Sequence, residues 1–316
     1  MSILGGIVVN TKVSIVVIGN VVREMIFFPD KMIGPVLGSP CAYSSITMSK
    51  LGRSVGVVSY LGNDLEKDMI EQFRNVDTTG FLTYKYTMEN NLIYHKDGRK
   101  SLEYARVTPV IEFEDISNEY LEADIFYICP MDYEVSIEVC EKLHDMGKMV
   151  ITDLGGFGGT TSFNHFTIDT RRGQNLVNNI CKFSSIVKAS EEDMKYIIPH
   201  MRPDEVSNYF IEKGAKATLI TLGEKGALCQ VAGQSVKYID IFQPECEESE
   251  LNLVGAGDAF VAGMIACIDG LENIEEAAVY GSAVASFIIE KAGGCQEDRM
   301  PTSFTVAHRL KKQREH

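Results

Sequence analysis

The stretch Val254-Gly255-Ala256-Gly257-Asp258-Ala259-Phe260 decides the interpretation of this chain, because it brings glycines next to an acidic residue. Apolar residues recur at helical spacing from Phe260 to Ile268, which predicts that a helix begins at the glycines. The first N–H groups of a helix have no partner inside it, and the helix dipole adds partial positive charge there. The stretch therefore predicts an anion site with the carboxylate of Asp258 beside it.

Two interpretations of these residues remain open at this point. A carboxylate beside an anion site makes chemical sense if it accepts a proton while the backbone N–H groups hold a phosphoryl group. A tight turn that leads into an acidic first helical turn would use the same residues. The rest of the chain has to separate them.

Composition bounds the class of protein. The 316 residues, 45% of them hydrophobic, fit one large α/β domain over residues 1–316. A net charge of −14 disfavours nucleic acid and anionic membranes as partners, because both select a basic face. The eight cysteines form no C-x-x-C pair, which indicates core residues in a reducing, cytoplasmic setting. No apolar run suggests a transmembrane span, and residues 1–10 lack the basic start of a signal peptide.

Strand and helix patterns alternate along the chain. The apolar run Val13–Gly19 is typical of a strand buried on both faces, and similar runs recur at 55–61, 125–129, 149–152, 185–187 and 217–221. Amphipathic stretches lie between them, at 42–51, 65–73, 134–146, 191–198 and 205–213. The pattern predicts a doubly wound, mainly parallel α/β sheet with helices on both faces.

Two segments interrupt this alternation, at 21–36 and 81–106. The second is rich in tyrosine and β-forming residues, with turn signals at Asn90-Asn91 and Asp97-Gly98. Together they predict a small β-sheet lid on the α/β body, which we expect to support a homodimer. The alternative is an antiparallel edge of the main sheet.

Several glycine-bearing or acidic turns follow predicted strands and should gather at the carboxyl edge of the sheet, where ligands bind. At this point the chain resembles the ribokinase, or PfkB, family of carbohydrate kinases. The family signature D-T-x-G-A-G-D-x-F is similar to the sequence from Asn252 to Phe260, and V-T-L-G-x-x-G is similar to that from Ile220 to Gly226. An early glycine element is similar to Gly38–Tyr43, and a G-x-D turn to Gly62–Asp64. The resemblance extends from about Val13 to Pro301.

The resemblance implies transfer of the γ-phosphoryl group of ATP to a hydroxyl of a small sugar or sugar-like molecule. It implies Asp258 as general base and an anion hole in the turn Gly255, Ala256 and Gly257. The implied nucleotide-binding residues are Lys188, Ser190, Thr221, Gly223, Lys225, Gly226 and Ser282. For Lys188 and Lys225, a solvated surface lysine is the alternative.

Departures from the family pattern concern the cations. Asn252-Leu253 stands where the family has Asp-Thr, close to its site for a monovalent cation, so potassium is only a further candidate cofactor. The family's N-x-x-E is Ser190-Glu191-Glu192-Asp193 here. Asp193 keeps a carboxylate that could contact Mg²⁺ through water.

Other departures concern the acceptor. The implied substrate-binding residues are Glu24, Gly38, Ser39, Tyr43 and Asn63. Glu24 stands in place of a shorter Asp, and Tyr43 in place of the usual Asn. A nucleoside or an inositol fits such a pocket as well as a sugar does.

Two other functions are weighed against the kinase. A non-catalytic nucleotide- or sugar-binding protein on the same fold is suggested by the altered motif residues. An NAD-dependent oxidoreductase is suggested by the glycine-rich stretch 153–161. Its glycines do not have G-x-G-x-x-G spacing, so a loop over the mouth of the active site is the better prediction.

Overall fold

The computed structural model describes residues 12–96, 100–247, 251–291 and 293–314. Within them a nine-stranded sheet forms the body. Its strands are β1 (Ile15–Ile18), β4 (Val55–Leu61), β5 (Phe81–Thr83), β8 (Ile125–Ile128), β9 (Met149–Asp153), β10 (Ile186–Ser190), β11 (Ala217–Thr221), β12 (Ala227–Val231) and β13 (Lys237–Ile239). Their spatial order is β13-β12-β11-β10-β9-β8-β1-β4-β5. The pairings from β5 to β11 are parallel, as predicted. The antiparallel pair β12 and β13 at one edge was not predicted.

Helices cover both faces of this sheet, which confirms the predicted fold class. They are α1 (Pro40–Lys50), α2 (Lys67–Glu71), α3 (Asn118–Leu121), α4 (Ile137–Asp145), α5 (Arg171–Phe183), α6 (Glu191–Ile197), α7 (Pro203–Glu212), α8 (Ala256–Cys267), α9 (Ile274–Ile288) and α10 (Ser303–Arg314). Side chains of α1, α8 and α9 pack in one core, and those of α4, α5 and α7 in the other. No helix among the described residues is both long and apolar enough to cross a bilayer.

A second, four-stranded sheet is present in the described part of the chain, in the order β3-β2-β6-β7. We call it the lid; it consists of β2 (Val22–Phe27), β3 (Met32–Gly38), β6 (Met88–Tyr94) and β7 (Lys100–Arg106). The pairs β2–β3 and β6–β7 are antiparallel, whereas β2 and β6 are parallel. The predicted turn at Asp97-Gly98 lies outside the described residues.

One predicted boundary of the lid is wrong. Phe81, assigned to the lid from the sequence, begins β5 and pairs with β4 at the edge of the main sheet. The ring of Phe81 packs edge-on against Phe73 with centroids 5.4 Å apart. This apolar contact holds the start of the segment in the body, so its lid strands begin only at Met88.

Candidate active site

The predicted anion turn lies at the N-terminus of α8. Gly255 caps the helix in a left-handed conformation, with φ 80°, and α8 begins at Ala256. Asp258 lies in the first turn and is half-buried. A side chain on Gly257 would meet no described heavy atom within 4 Å, whereas one on Gly255 would collide with Tyr43. The turn is therefore fixed on the Gly255 side and open on the Gly257 side, as a backbone anion site requires.

A buried ion pair lies at the carboxyl edge of the sheet. The ammonium group of Lys188 lies 2.9 Å from the carboxylate of Asp153, and both side chains are less than a tenth exposed. The hydroxyl of Tyr127 donates to the same carboxylate at 3.1 Å. Burial alone would lower the pKa of Lys188, but the charges of Asp153, Asp193 and Asp258 outweigh burial and raise it. Lys188 is thus a buried cation within electrostatic reach of Asp258, not a solvated surface lysine.

Asp193 and Ser190 close the N-terminus of α6 in a reciprocal cap. The Ser190 N–H donates to Oδ2 of Asp193 at 2.7 Å, and the Asp193 N–H donates to the Ser190 hydroxyl at 3.0 Å. Thr160 donates to Oδ1 from its N–H and from its hydroxyl. Burial alone would raise the pKa of Asp193, but Lys188 and these hydrogen bonds lower it. The carboxylate therefore pins the glycine-rich loop to α6.

The residues implied for the nucleotide lie around the turn after β11. Gly223 and Gly226 have positive φ, and a Cβ on Gly226 would lie 2.0 Å from a backbone oxygen, so both positions favour glycine. Lys225 is 65% exposed and pairs with Glu191 at 3.2 Å, so it is a surface lysine. Thr221 ends β11, where it pairs with Ser190. Ser282 is buried on α9, and its hydroxyl donates to the carbonyl of Asp240.

The inner face of the lid carries polar groups. Glu24 and Asn90 are register partners on β2 and β6, so their side chains project from the same face. Both are buried, and the Asn90 amide has no hydrogen-bond partner among the described atoms. A Cβ on Gly38 would lie 3.1 Å from the Glu24 carboxylate, so the glycine gives this acid room. An unpartnered buried amide is costly and needs an explanation, and a ligand hydroxyl supplies one.

The remaining implied substrate residues have different surroundings. Ser39 caps α1, accepting from the N–H of Ala42 at 3.2 Å. Asn63 is exposed. The Tyr43 side chain is buried, and its hydroxyl accepts a hydrogen bond from Arg299 at 3.1 Å. The structure therefore has Tyr43 behind the anion turn, where it supports the backbone instead of offering its hydroxyl to a substrate.

The body and the lid meet at the glycine-rich loop. The Tyr104 hydroxyl on β7 donates to the carbonyl of Thr161 at 2.7 Å. A Cβ on Gly156 would lie 2.1 Å from the carbonyl oxygen of Pro130, so close backbone packing requires this glycine. Close packing and the contact with the lid explain the glycines of this loop without a dinucleotide.

Sequence reasoning missed buried residues that join distant segments. Glu134 accepts hydrogen bonds from the N–H groups of Asn20, Met131 and Asp132. Burial raises the pKa of Glu134, although these N–H groups act in the opposite direction. The side chain of Asn20 in turn accepts from the N–H of Tyr60 at 3.0 Å. Neither residue belongs to a motif, and only the position of Asn20 after a buried strand could have marked it.

The residues present fit ATP with Mg²⁺. Among the described residues no group of three or more His, Cys, Asp and Glu side chains could hold a metal. Mg²⁺ keeps several waters and usually takes one or two carboxylates together with substrate phosphates. Oδ2 of Asp193 accepts from Ser190 and, with two lone pairs, has capacity for a bridging water.

Comparison with known proteins defines the class of this fold and site. The family model for pfkB family carbohydrate kinases matches residues 44–302. The chain belongs to this family and is therefore a phosphotransferase of the sugar, nucleoside and inositol kinase group. The resemblance recognised in the sequence motifs is confirmed.

Similar proteins carry kinase names. The chain is 27% identical over 283 residues to a cytidine kinase of Thermococcus kodakarensis, covering 88% of this chain and 97% of that protein. A ribokinase of Arabidopsis thaliana, in complex with ribose and ATP, has a TM-score of 0.73 at 19% identity over 94% of this chain and 98% of its own. A pyrophosphate-dependent kinase of the ribokinase family, complexed with a pyrophosphate analog and myo-inositol, has a TM-score of 0.72 at 17% identity over 90% and 98%. These two structures are similar to this chain in fold.

Proposed function

We propose that this protein transfers the γ-phosphoryl group of ATP to a hydroxyl of a small polyol, with a nucleoside, a sugar and an inositol as the candidate classes. The observation that carries the proposal is the turn Gly255–Asp258, which combines an open helix N-terminus at Gly257 with a carboxylate in the first turn. Phosphoryl transfer depends mainly on positioning and charge stabilisation, and this turn offers both.

In the proposed reaction Asp258 accepts the proton of the acceptor hydroxyl. The oxygen forms a bond to the γ-phosphorus while the bond from that phosphorus to the β–γ bridging oxygen breaks, and ADP leaves. The N–H groups of Ala256, Gly257 and Asp258 stabilise the charge on the transferring group. Mg²⁺, when bound with ATP, neutralises phosphate charge. The ammonium group of Lys188, paired with Asp153, lies at the same edge of the sheet.

The acceptor is proposed to bind between the lid and α1. Glu24 adjoins Gly38, which directly precedes the cap of α1. The Ser44 hydroxyl on α1 donates to the carbonyl of Asp258 at 3.5 Å. This chain of contacts links the acidic residue of the lid to the proposed base. Glu24 and Asn90 are then suited to bind acceptor hydroxyls other than the one that reacts.

A nucleoside is the first acceptor to test, because this chain is similar to the cytidine kinase over nearly the whole length of that protein. The experiment is an ADP-release screen with ATP and Mg²⁺ over nucleosides, pentoses, hexoses and inositols. Substrate-dependent ADP production by at least one class supports the kinase. ATP binding without ADP production over the whole panel would support the non-catalytic alternative instead.

We also propose that the lid supports a homodimer and that the protein is cytoplasmic. The strand β3 lies at an edge of the lid, and its residues Met32, Gly34 and Pro35 are exposed, so a second lid could pack against this edge. No disulfide joins the described cysteines, and most of them are buried, in keeping with a reducing compartment. Light scattering at micromolar concentration tests the dimer, and a monomer would contradict it.

A further inference from the structure

Arg299 is a buried cation that the proposed reaction does not use directly. Arg299 is the last residue of a short helical turn that precedes α10, and it is only 3% exposed. Its guanidinium donates to the Tyr43 hydroxyl and to backbone carbonyls of two segments, at 2.6 to 3.3 Å. The carbonyls belong to Val254, Ile288, Gly293 and Gly294. Burying a charge is costly unless it is well hydrogen-bonded, and here both terminal nitrogens are bonded while Nε has no partner among the described atoms.

Converging backbone carbonyls are the ligands that a bare monovalent cation takes. One of these carbonyls belongs to Val254, immediately before the anion turn, and the others lie at the end of α9 and in the loop after it. The family resemblance implies a potassium ion in this region. A potassium ion does not fit here, because the guanidinium of Arg299 already holds these oxygens.

Asn252 is matched to this arrangement. Its amide nitrogen donates to the carbonyls of Lys291 and Gly293 at 3.3 Å, and its amide oxygen accepts from the N–H of Val254 at 3.2 Å. An aspartate, as in the family signature, has no donor for these carbonyls and would favour a bound ion. The departure at Asn252 and the presence of Arg299 therefore have the same consequence: protein N–H groups satisfy the carbonyls.

The same cluster adjoins both the anion turn and the lid. Tyr43, which accepts from Arg299, packs against Gly255. The N–H of Cys295 donates to the carbonyl of Leu37 on β3 at 2.8 Å. Burial raises the pKa of the Cys295 thiol, and the charges of Arg299 and Asp258 both act on it. Arg299 is thus a positioning residue that ties the backbone before α8 to the lid.

We propose that the guanidinium of Arg299 is a built-in monovalent cation that holds the anion turn, so that catalysis by this chain requires no potassium ion. The inference rests on the proposed kinase function, although its test by melting temperature does not require turnover. An arginine stays charged at all working pH values and offers a fixed set of N–H donors, which gives a permanent substitute for an exchangeable ion.

The wild-type protein provides the first test. Potassium chloride is titrated against choline chloride at constant ionic strength, and both kcat and the melting temperature are followed. We expect the kcat of the wild type to change by less than about twofold over the titration. Constant ionic strength removes general screening effects, so any larger change would be specific to potassium. Activation of the wild type by potassium well beyond this range, or a potassium-specific rise in its melting temperature, would overturn the proposal.

The second test creates the ion site. Arg299→Met removes the charge and takes the arginine donor away from the carbonyls of Val254, Ile288 and Gly294. The carbonyl of Gly293 keeps its bond from Asn252. We expect kcat to fall by about 10²-fold, since small misplacements in a catalytic site have effects of this size. Potassium or guanidinium ion should restore part of kcat and raise the melting temperature of this variant specifically. A folded variant with wild-type kcat, or with a loss that neither ion reverses, would contradict the proposal.

Arg309→Met is the matched control. Arg309 is also a buried arginine, but it bonds to Ser286 on α9 and to Glu290, two residues after the end of that helix. Loss of the Arg309 guanidinium should lower stability without any response to potassium.

If Arg299→Met does not fold without added ions, folding in potassium but not in choline chloride supports the proposal, and failure to fold in both contradicts it. Absence of ADP release by the wild type would count against the kinase alone, because the melting-temperature comparison needs no turnover.

Discussion

The ring of Tyr43 lies directly against the backbone of Gly255, so that a Cβ on this glycine would be 2.2 Å from Cε1 of the tyrosine. The contact joins α1 to the turn that begins α8, across more than two hundred residues of sequence. It leaves the opposite side of the turn open, at Gly257. Tyr43 therefore determines where the N–H groups of the anion turn lie.

Alanine at Gly255 should lower stability, whereas alanine at Gly257 should lower activity. Gly255→Ala meets the Tyr43 ring and a left-handed φ, which alone costs about 1–2 kcal/mol, so denaturant unfolding should show a clear loss of stability. Gly257→Ala meets no described neighbour within 4 Å and should leave stability within about 1 kcal/mol of wild type. Its methyl group should instead obstruct the phosphate and lower kcat/KM. Equal stabilities for the two variants would contradict this account of the turn.

Asn90 should contribute to acceptor binding and not to phosphoryl transfer itself. Asn90→Leu removes an amide that has no protein partner, so we expect KM for the acceptor to rise by about tenfold or more, with stability unchanged or improved. Asn91→Leu is the control, because the next residue of β6 projects from the other face of the lid. Steady-state kinetics for both variants test this assignment. A similar KM for Asn90→Leu and wild type would refute it.

Lys188 should be essential to stability in a way that Lys225 is not. Lys188→Met leaves the buried carboxylate of Asp153 without its cation, and breaking such a pair costs about 3–5 kcal/mol. Lys225→Met breaks an exposed pair with Glu191 and should cost less than about 1 kcal/mol. Urea unfolding of both variants provides the comparison. Equal losses would mean that the burial of the Lys188 pair has no energetic consequence.

The cap formed by Asp193 should make the free energy of unfolding fall as the pH becomes acidic. The folded-state pKa of Asp193 is lowered, so its contribution is fully present above the usual aspartate pKa of about 3.9 and is lost as the pH falls through the lower folded value. We expect wild type to be more stable than Asp193→Asn at neutral pH. The difference should shrink below about pH 4, measured by urea unfolding at a series of pH values. A difference that stays constant to the lowest pH at which both variants fold would contradict this.

Local patterns were sufficient to predict much of this protein. The buried strands, the alternating helices and the turn before α8 depend on periodicity and on glycine, which are properties of short segments. The helix α5 was missed because its first five residues, 171–175, carry no apolar side chain, so the apolar pattern covers only its second half. The strand β12 was missed because its apolar run directly follows the glycine turn that was assigned to the nucleotide.

The contacts around the site could not be predicted in the same way. Arg299 bonds to Tyr43 across 256 residues, and Glu134 bonds to Asn20 across 114. Such contacts depend on how the elements pack, and no spacing in the sequence encodes them. The position of Tyr43 was not predicted for the same reason. The sequence assigned this residue to the substrate, whereas in the structure it is buried behind the anion turn.

The most direct test of the account is the turnover of Asp258→Asn, measured as ADP release with the best acceptor from the screen. Asp269→Asn, just after the other end of α8, is the control, since it removes an exposed carboxylate that lies away from the anion turn. We predict that Asp258→Asn lowers kcat by about 10²–10⁴-fold, the usual contribution of a positioned general base, while Asp269→Asn keeps wild-type kcat. A folded Asp258→Asn protein that turns over at the wild-type rate would contradict the assignment of Asp258 as the base.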